Sequence, residues 1–494
     1  MERRQFFKSL FVAGAGSVLL PGCGDLLQPK VTESLTEENF FGSEADFRSA
    51  VSALYSPFIT NWGSNDPGVG SWYSALYNAD PGSTYLMRSE ITTDELYSPW
   101  PADFTDFTWG PATFQGDGMS TYAKIRFVAR ATDAIEKISN SDANVSDSVR
   151  QEYVAEAKCL RGWLLYVLLD FFGPVNARLT PETLNDTEIR PRPSMEEYVA
   201  SIEQDLTEAI PNLPNKYHDD PNNWGRVTKG TARMVLLRLY MHRKNWSQAE
   251  QVARDLMGMN YQLMSNYEDV FNVERNDEII HAVQAGESSP NYYLQQVFPS
   301  DFQKSGDIQR SPGWYGLWMH WDFYDKYESG DERLNTILDF YVNGSGTTVD
   351  RNSGMQGAIP VKFTSFEGGG PGHTMDQPVF RYAEVLLSLA EAINEQRGPS
   401  EAYQYVDQVR ERADVDPWEG SGMSQSQFRD AILEERGREL YAEGVRRQDL
   451  IRHGKFIEYA QDRGTNAQEH HVRFPIPEPV MTEADGAIQQ NPGY

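Results

Sequence analysis

Cysteine is almost absent from this chain. Among 494 residues only Cys23 and Cys159 occur, so one disulfide is the most the sequence permits. There is no CxxC pair and no Cys/His cluster with zinc-ligand spacing. His470-His471 stands without a third ligand nearby. Basic residues are also scarce: 44 Lys and Arg face 72 Asp and Glu, a formal net charge of −28. A phosphate backbone or an anionic lipid surface is repelled by such a chain, which argues against nucleic acid and against a basic membrane-surface patch. An acidic surface suits neutral or cationic ligands. Long apolar runs are missing too. The longest, Leu10–Leu20, falls short of the ~20 residues needed to span a bilayer. No G-x-S-x-G, P-loop or HExxH occurs, so no familiar hydrolase, nucleotide or zinc-protease centre is signalled. No cofactor is expected, and the sequence has no signal for or against a structural Ca²⁺.

What is abundant is aromatic: 11 Trp, 25 Tyr and 24 Phe, or 12% of the residues. With 39% hydrophobic residues the chain can bury a large core. Its first 22 residues have signal-peptide architecture, with Arg3, Arg4 and Lys8 ahead of the short apolar run. Arg3-Arg4-Gln5-Phe6-Phe7-Lys8 fits a twin-arginine export signal, and an ordinary secretory signal that carries two arginines fits equally. Leu20-Pro21-Gly22-Cys23 resembles a bacterial lipobox, which predicts cleavage before Cys23 and acylation of its thiol. The alternative is an exported protein with a stray cysteine. Cys159, inside EAKCLRGWLLYVLL, is expected to be a buried thiol.

Helical periodicity comes in blocks. Phe47, Val51 and Leu54 predict an amphipathic helix within about 36–60. A second block, about 119–259, contains Tyr122–Ser139, then Ser146–Phe172 stopped by Gly173-Pro174, and a helix opened by the capping box Ser194-x-x-Glu197. A third block covers about 378–454. Two helix pairs share offsets: Leu236, Tyr240 and Ala249 in one, Leu389, Ile393 and Ala402 in the other. A tetratricopeptide unit places an apolar residue, an aromatic and a small alanine in this way, so that its two helices approach closely. Between the blocks, about 61–118 and 260–377 are rich in Gly, Pro, Asp, Ser and aromatics, and loops with short strands are expected there. Glu435, Glu439 and Glu443 step by four among Arg436, Arg446, Asp449 and Arg452, which predicts a ladder of ion pairs.

Taken in order, the lipobox, EAKCLRGWLLYVLLDFFGPV, ARMVLLRLYMHRKNWSQAEQVA, RYAEVLLSLAEAINE, VRERA, EERGRELYAEGVRRQDLIRHG, FPIP and QNPGY resemble the SusD/RagB family of outer-membrane nutrient-binding lipoproteins. The resemblance covers nearly the whole chain. It implies a signal peptide at 1–22 and one domain at 23–494. That domain would be a mostly α, tetratricopeptide-like scaffold of four helix pairs carrying a loop-rich ligand face. It further implies an outer-membrane lipid anchor at Cys23, a glycan or other nutrient as ligand, and a SusC-like TonB-dependent transporter as partner.

Seven tryptophans fall in the two irregular regions: Trp62, Trp72, Trp100 and Trp109, then Trp314, Trp318 and Trp321. A tryptophan offers a wide apolar face and one N–H donor. That matches a sugar ring, which has an apolar C–H face and a hydroxyl edge. Trp72, Tyr73, Trp100, Trp109, Trp314 and Trp318 are therefore the candidate ligand contacts. A competing reading exists for the second group: Trp314, Trp318 and Trp321 are spaced as one face of a helix, which would pack on the core. Trp163 and Trp246, on helices, read as scaffold. No pair of carboxylates stands out as a glycosidase couple. The function expected is non-catalytic binding of an oligosaccharide or similar nutrient and its delivery to the transporter. A peptide-binding or scaffold lipoprotein, and a surface glycoside hydrolase, are the alternatives.

Overall fold

The computed structural model describes residues 41–59, 75–115, 119–309, 312–364 and 372–494. Cys23, Trp62, Trp72 and Tyr73, with the signal segment, lie outside the described residues.

One helix organises the rest. Asp147–Phe172 starts where the Ser146 hydroxyl accepts the Val149 N–H, and it stops where Gly173 turns to φ 73°. From Cys159 to Phe172 every residue is buried. Such a helix has neighbours all round, and it does: Glu44–Ala53, Ile125–Ser139, Met195–Ala209 and Lys229–His242 all pack on it. Gly162 is the point of closest approach, since a Cβ there would come 2.9 Å from Leu206. Beside it Arg161 grips Asp205 with two hydrogen bonds, 2.7 and 2.6 Å. Cys159 is a free buried thiol, and burial raises its pKa.

Both expected helix pairs are present. Lys229–His242 packs on Trp246–Met257, and Tyr382–Arg397 packs on Tyr403–Arg412. Leu236, Ala249, Leu389, Ile393 and Ala402 are buried at the shared offsets, with Tyr240 beside them. The two pairs also join each other, because Trp246–Met257 packs directly on Tyr382–Arg397. The long segment between them is thus looped out of a continuous helical array. Strands Ile279–Val283 and Gln377–Arg381 pair antiparallel at its base. Among the described residues, helices dominate and sheets are small, the largest having four strands.

Two local readings need correction. The region around 61–118 is not only loops and strands: Tyr85–Ile91 forms a helix, capped by Thr84, with all of its residues buried. Its Arg88, Ser89 and Glu90 are inside, so no amphipathic period announces it. The helical stripe through Trp314, Trp318 and Trp321 does not form. Trp318 is in a strand, Trp321 begins the short helix Trp321–Tyr324, and Trp314 belongs to neither.

The Glu435–Glu443 ladder is an ion-pair network, but a buried and long-range one. Arg333, fully buried, bonds Asp331 (2.8 Å) and Glu435 (2.6 Å). Arg410 and Arg438 also bond Glu435, and Arg381 and Arg412 converge on Glu439. Glu443 takes Arg381 and Lys362. Burial opposes these charges, and the arginines overcome it: Glu435 is held well below the usual carboxylate range and Glu439 at about 2. Trp163 is buried in the core and Trp246 packs against it, as scaffold residues should.

Candidate functional site: an aromatic platform on a two-stranded ribbon

The ribbon joins the two irregular regions. Leu96–Tyr97 pairs antiparallel with Trp318–Met319, in the register Leu96↔Met319 and Tyr97↔Trp318. Directly opposed residues project from the same face of a sheet. Leu96 and Met319 point inward and are fully buried, while Tyr97 and Trp318 share the outer face and are half-buried. Their rings stack at 4.9 Å with an interplanar angle of 26°. Tyr315 adds a third ring, 4.9 Å from Trp318. His320 meets Tyr97 edge-on at 5.8 Å; burial holds it at about 4, a neutral imidazole at pH 7.

Glycines set the height of the platform. A Cβ on Gly357 would overlap the Trp318 indole and the Met319 carbonyl. One on Gly316 would come 2.5 Å from Cζ3 of Trp100. Trp318 and Trp100 therefore lie on bare backbone. The segment carrying Trp314 and Tyr315 is pinned by the C-terminal carbonyls of the helix Tyr293–Val297 and by Phe298: Trp314 N–H donates to Gln295 O (2.8 Å), Tyr315 N–H to Phe298 O (2.9 Å) and Gly316 N–H to Gln296 O (2.7 Å). Tyr315 is held at φ 51°, a left-handed conformation that an aromatic residue rarely adopts. The Tyr315 hydroxyl reaches the Gly357 carbonyl at 3.4 Å, closing the loop on the glycine that seats Trp318.

Trp100 follows the first strand, its N–H donating to the Ser98 hydroxyl (3.2 Å), which in turn donates to the Trp100 carbonyl (2.6 Å). Four large hydrophobic side chains are exposed among the described residues, and Trp100 (49%) and Trp314 (44%) are two of them. Exposed indoles beside half-buried stacked rings form a surface that an apolar ring face can cover. Asp301 accepts the Tyr341 hydroxyl at 2.9 Å. No group of three or more His, Cys, Asp or Glu fit to hold a metal is found among the described residues.

Of the expected contacts, Trp318 lies on the platform, Trp100 packs over Gly316, and Trp314 is exposed one residue before Tyr315. Trp109 is not at this surface, and its assignment is corrected. It is 3% exposed, wedged against Phe107 (4.6 Å), His471 (4.6 Å) and Phe474 (5.2 Å). Its indole N–H donates to the Tyr494 hydroxyl at 2.8 Å, so it locks the C-terminus and has no face for a ligand. Tyr97, Tyr315 and the two glycines were not singled out from the sequence. Nothing local marks Tyr97 as a partner of Trp318; only the strand register does.

A profile described as "SusD family" matches residues 314–494, and one described as "Starch-binding associating with outer membrane" matches 87–241. The two matches hold one strand of the ribbon each. SusD-like protein P25 of Formosa agariphila is 26% identical, with 96% of each chain covered. Starch-binding protein SusD of Bacteroides thetaiotaomicron is 23% identical over 87% of each. Among solved structures, surface glycan-binding protein A from Bacteroides thetaiotaomicron in complex with laminarihexaose superposes with a TM-score of 0.71 at 21% identity, covering 91% of this chain and 99% of that one.

Proposed function

Because the chain belongs to the SusD family, we propose that it is a non-catalytic glycan-binding protein of the cell surface. The observation that carries this reading is the Tyr97–Trp318–Tyr315 platform flanked by the exposed indoles of Trp100 and Trp314. Stacked rings bind a pyranose by covering its C–H face, while polar groups at the rim meet its hydroxyls. A neutral sugar also suits a chain of net charge −28. No bond need break: the carboxylates Glu435, Glu439 and Glu443 are buried and committed to arginine or lysine partners.

In this reading the protein is tethered to the outer membrane through an acylated Cys23 and hands oligosaccharides to a SusC-like TonB-dependent transporter. Trp72 and Tyr73 remain proposed ligand contacts alongside Trp100, Trp314 and Trp318. What supports the anchor is the Leu20-Pro21-Gly22-Cys23 sequence. What supports glycan over peptide is the ring platform itself.

Calorimetry of the purified full chain against neutral oligosaccharides, laminarihexaose included, and against peptides tests the ligand class. Saturable oligosaccharide binding, weakened at least about tenfold by Trp318→Ala, is expected. Binding to peptides alone, or the appearance of shorter sugars that one carboxylate substitution abolishes, overturns the reading.

A further inference from the structure

The helix and turn that lead into the ribbon carry a pair of buried carboxyl groups that glycan binding does not use. Glu90 is on the buried helix Tyr85–Ile91, and Glu95 immediately precedes Leu96–Tyr97. Both are fully buried and their carboxyl groups are hydrogen-bonding neighbours. One Glu90 oxygen accepts the Gly444 N–H. The other, and both oxygens of Glu95, have no donor.

The surrounding charges are engaged elsewhere. Arg446 Nε is 3.8 Å from Glu95 but binds Asp94 at 2.8 Å. Lys326 binds Asp94 and Glu434, and Lys362 binds Glu443. The Tyr293, Tyr327 and Tyr441 hydroxyls donate to the carbonyls of Pro360, Arg438 and Thr336. Two buried carboxylates without a protein donor cannot both stay ionised side by side. A proton between them supplies the missing donor. Consistent with this, burial pushes Glu90 up to about 7, and burial together with the Glu90 carboxyl pushes Glu95 well above its ordinary value.

The pair is wired to the platform through the backbone. The Glu95 carbonyl accepts the His320 N–H at 3.0 Å, the rung next to Leu96↔Met319 and Tyr97↔Trp318. The Glu95 N–H donates to the Thr93 hydroxyl at 3.2 Å, and that hydroxyl donates to the Glu90 carbonyl at 2.6 Å.

We propose that Glu90 and Glu95 are positioning residues that share one proton, and that this proton holds Leu96–Tyr97 in register against Trp318–Met319. Local opening of the ribbon wets the pair and releases the proton to solvent. Ribbon integrity then falls as pH rises from the ordinary carboxylate range toward the pH at which the closed pair itself ionises. The sign is that of a raised acid: the closed state binds a proton that the open state has lost. The inference rests on the platform being the ligand site, but its test needs no glycan, so the two fail separately.

Hydrogen exchange of the full chain is followed by mass spectrometry from pH 5 to 9, corrected for intrinsic rates. In the wild type, exchange in peptides covering 95–100 and 316–321 accelerates with pH, up to roughly tenfold per unit. Glu95→Gln, which carries a permanent donor, flattens that profile, whereas peptides from Asp147–Phe172 respond to neither change. Glu90→Gln, with the donor on the other side, gives the same flattening and serves if Glu95→Gln does not fold. A flat wild-type profile, or amide variants that keep the wild-type slope, overturns the proposal. So does suppression of the slope by a chelator, which would put a cation in place of the proton.

Discussion

Two aromatic clusters of this molecule use the same side chains to opposite ends. Around Trp109, the rings of Phe104, Phe107, His471, Phe474 and Tyr494 close on every side and seal the C-terminal tail to the core. Around Trp318, Tyr97 and Tyr315 stack at one edge, glycine backs the indole, and the outer face stays half open. Trp100 and Trp109 are near neighbours in sequence, yet one is 49% exposed and the other 3%. Aromatic abundance alone therefore does not mark a binding site. A site needs rings that are held firmly from behind and left uncovered in front.

The largest effect is expected away from both clusters, at the buried ion network around Glu435 and Glu439. Arg333→Met leaves Asp331 without its buried guanidinium and takes one of several cations from Glu435 and Glu439, and is expected to cost about 3–5 kcal/mol in denaturant unfolding. The loss is pH-dependent. Because the folded state depresses Glu435 and Glu439, their contribution is complete above the ordinary carboxylate range and is lost as pH falls toward about 2. Wild type and variant should converge in acid; a constant gap would refute the network as its cause.

Trp109→Ala comes next, at about 3–4 kcal/mol of stability, with oligosaccharide affinity unchanged at temperatures where the variant remains folded. Trp318→Ala should do the reverse: about 2 kcal/mol of binding lost by calorimetry, and under about 1.5 kcal/mol of stability. If these two variants have the same profile, the distinction between sealed and open clusters is wrong. Gly316→Ala sharpens the point with a smaller change. A methyl pressed against Trp100 and the Gln296 side chain should cost about 1–2 kcal/mol of stability, and several-fold in affinity, although no ligand-facing atom is altered.

Much of the scaffold was legible in the sequence. Ser194-x-x-Glu197, Gly173-Pro174 and the shared offsets of the two helix pairs each report a local rule, and the helices obey them. The helix Tyr85–Ile91 was not legible, because a helix buried all round has no polar face to set its period. The ion network was legible as a composition of Glu and Arg, but its partners were not. Glu435 reaches Arg333 and Arg410 on other segments rather than only Arg438 on its own helix. At the candidate site, Trp100, Trp314 and Trp318 stood out as tryptophans in irregular segments. Tyr97 and Tyr315 did not, since a tyrosine at one strand end looks like any other until its partner strand is known.

By itself the sequence determined the helical blocks, their caps and stops, the scarcity of cysteine, the acidic surface and the presence of surplus aromatics. These depend on neighbours a few residues away or on composition. Only the tertiary structure decided which tryptophans face outward. That choice rests on long-range packing: Tyr494 and Phe474 bury Trp109, while the pairing of Tyr97 with Trp318 and the bare backbone of Gly316 and Gly357 keep the other indoles at the surface.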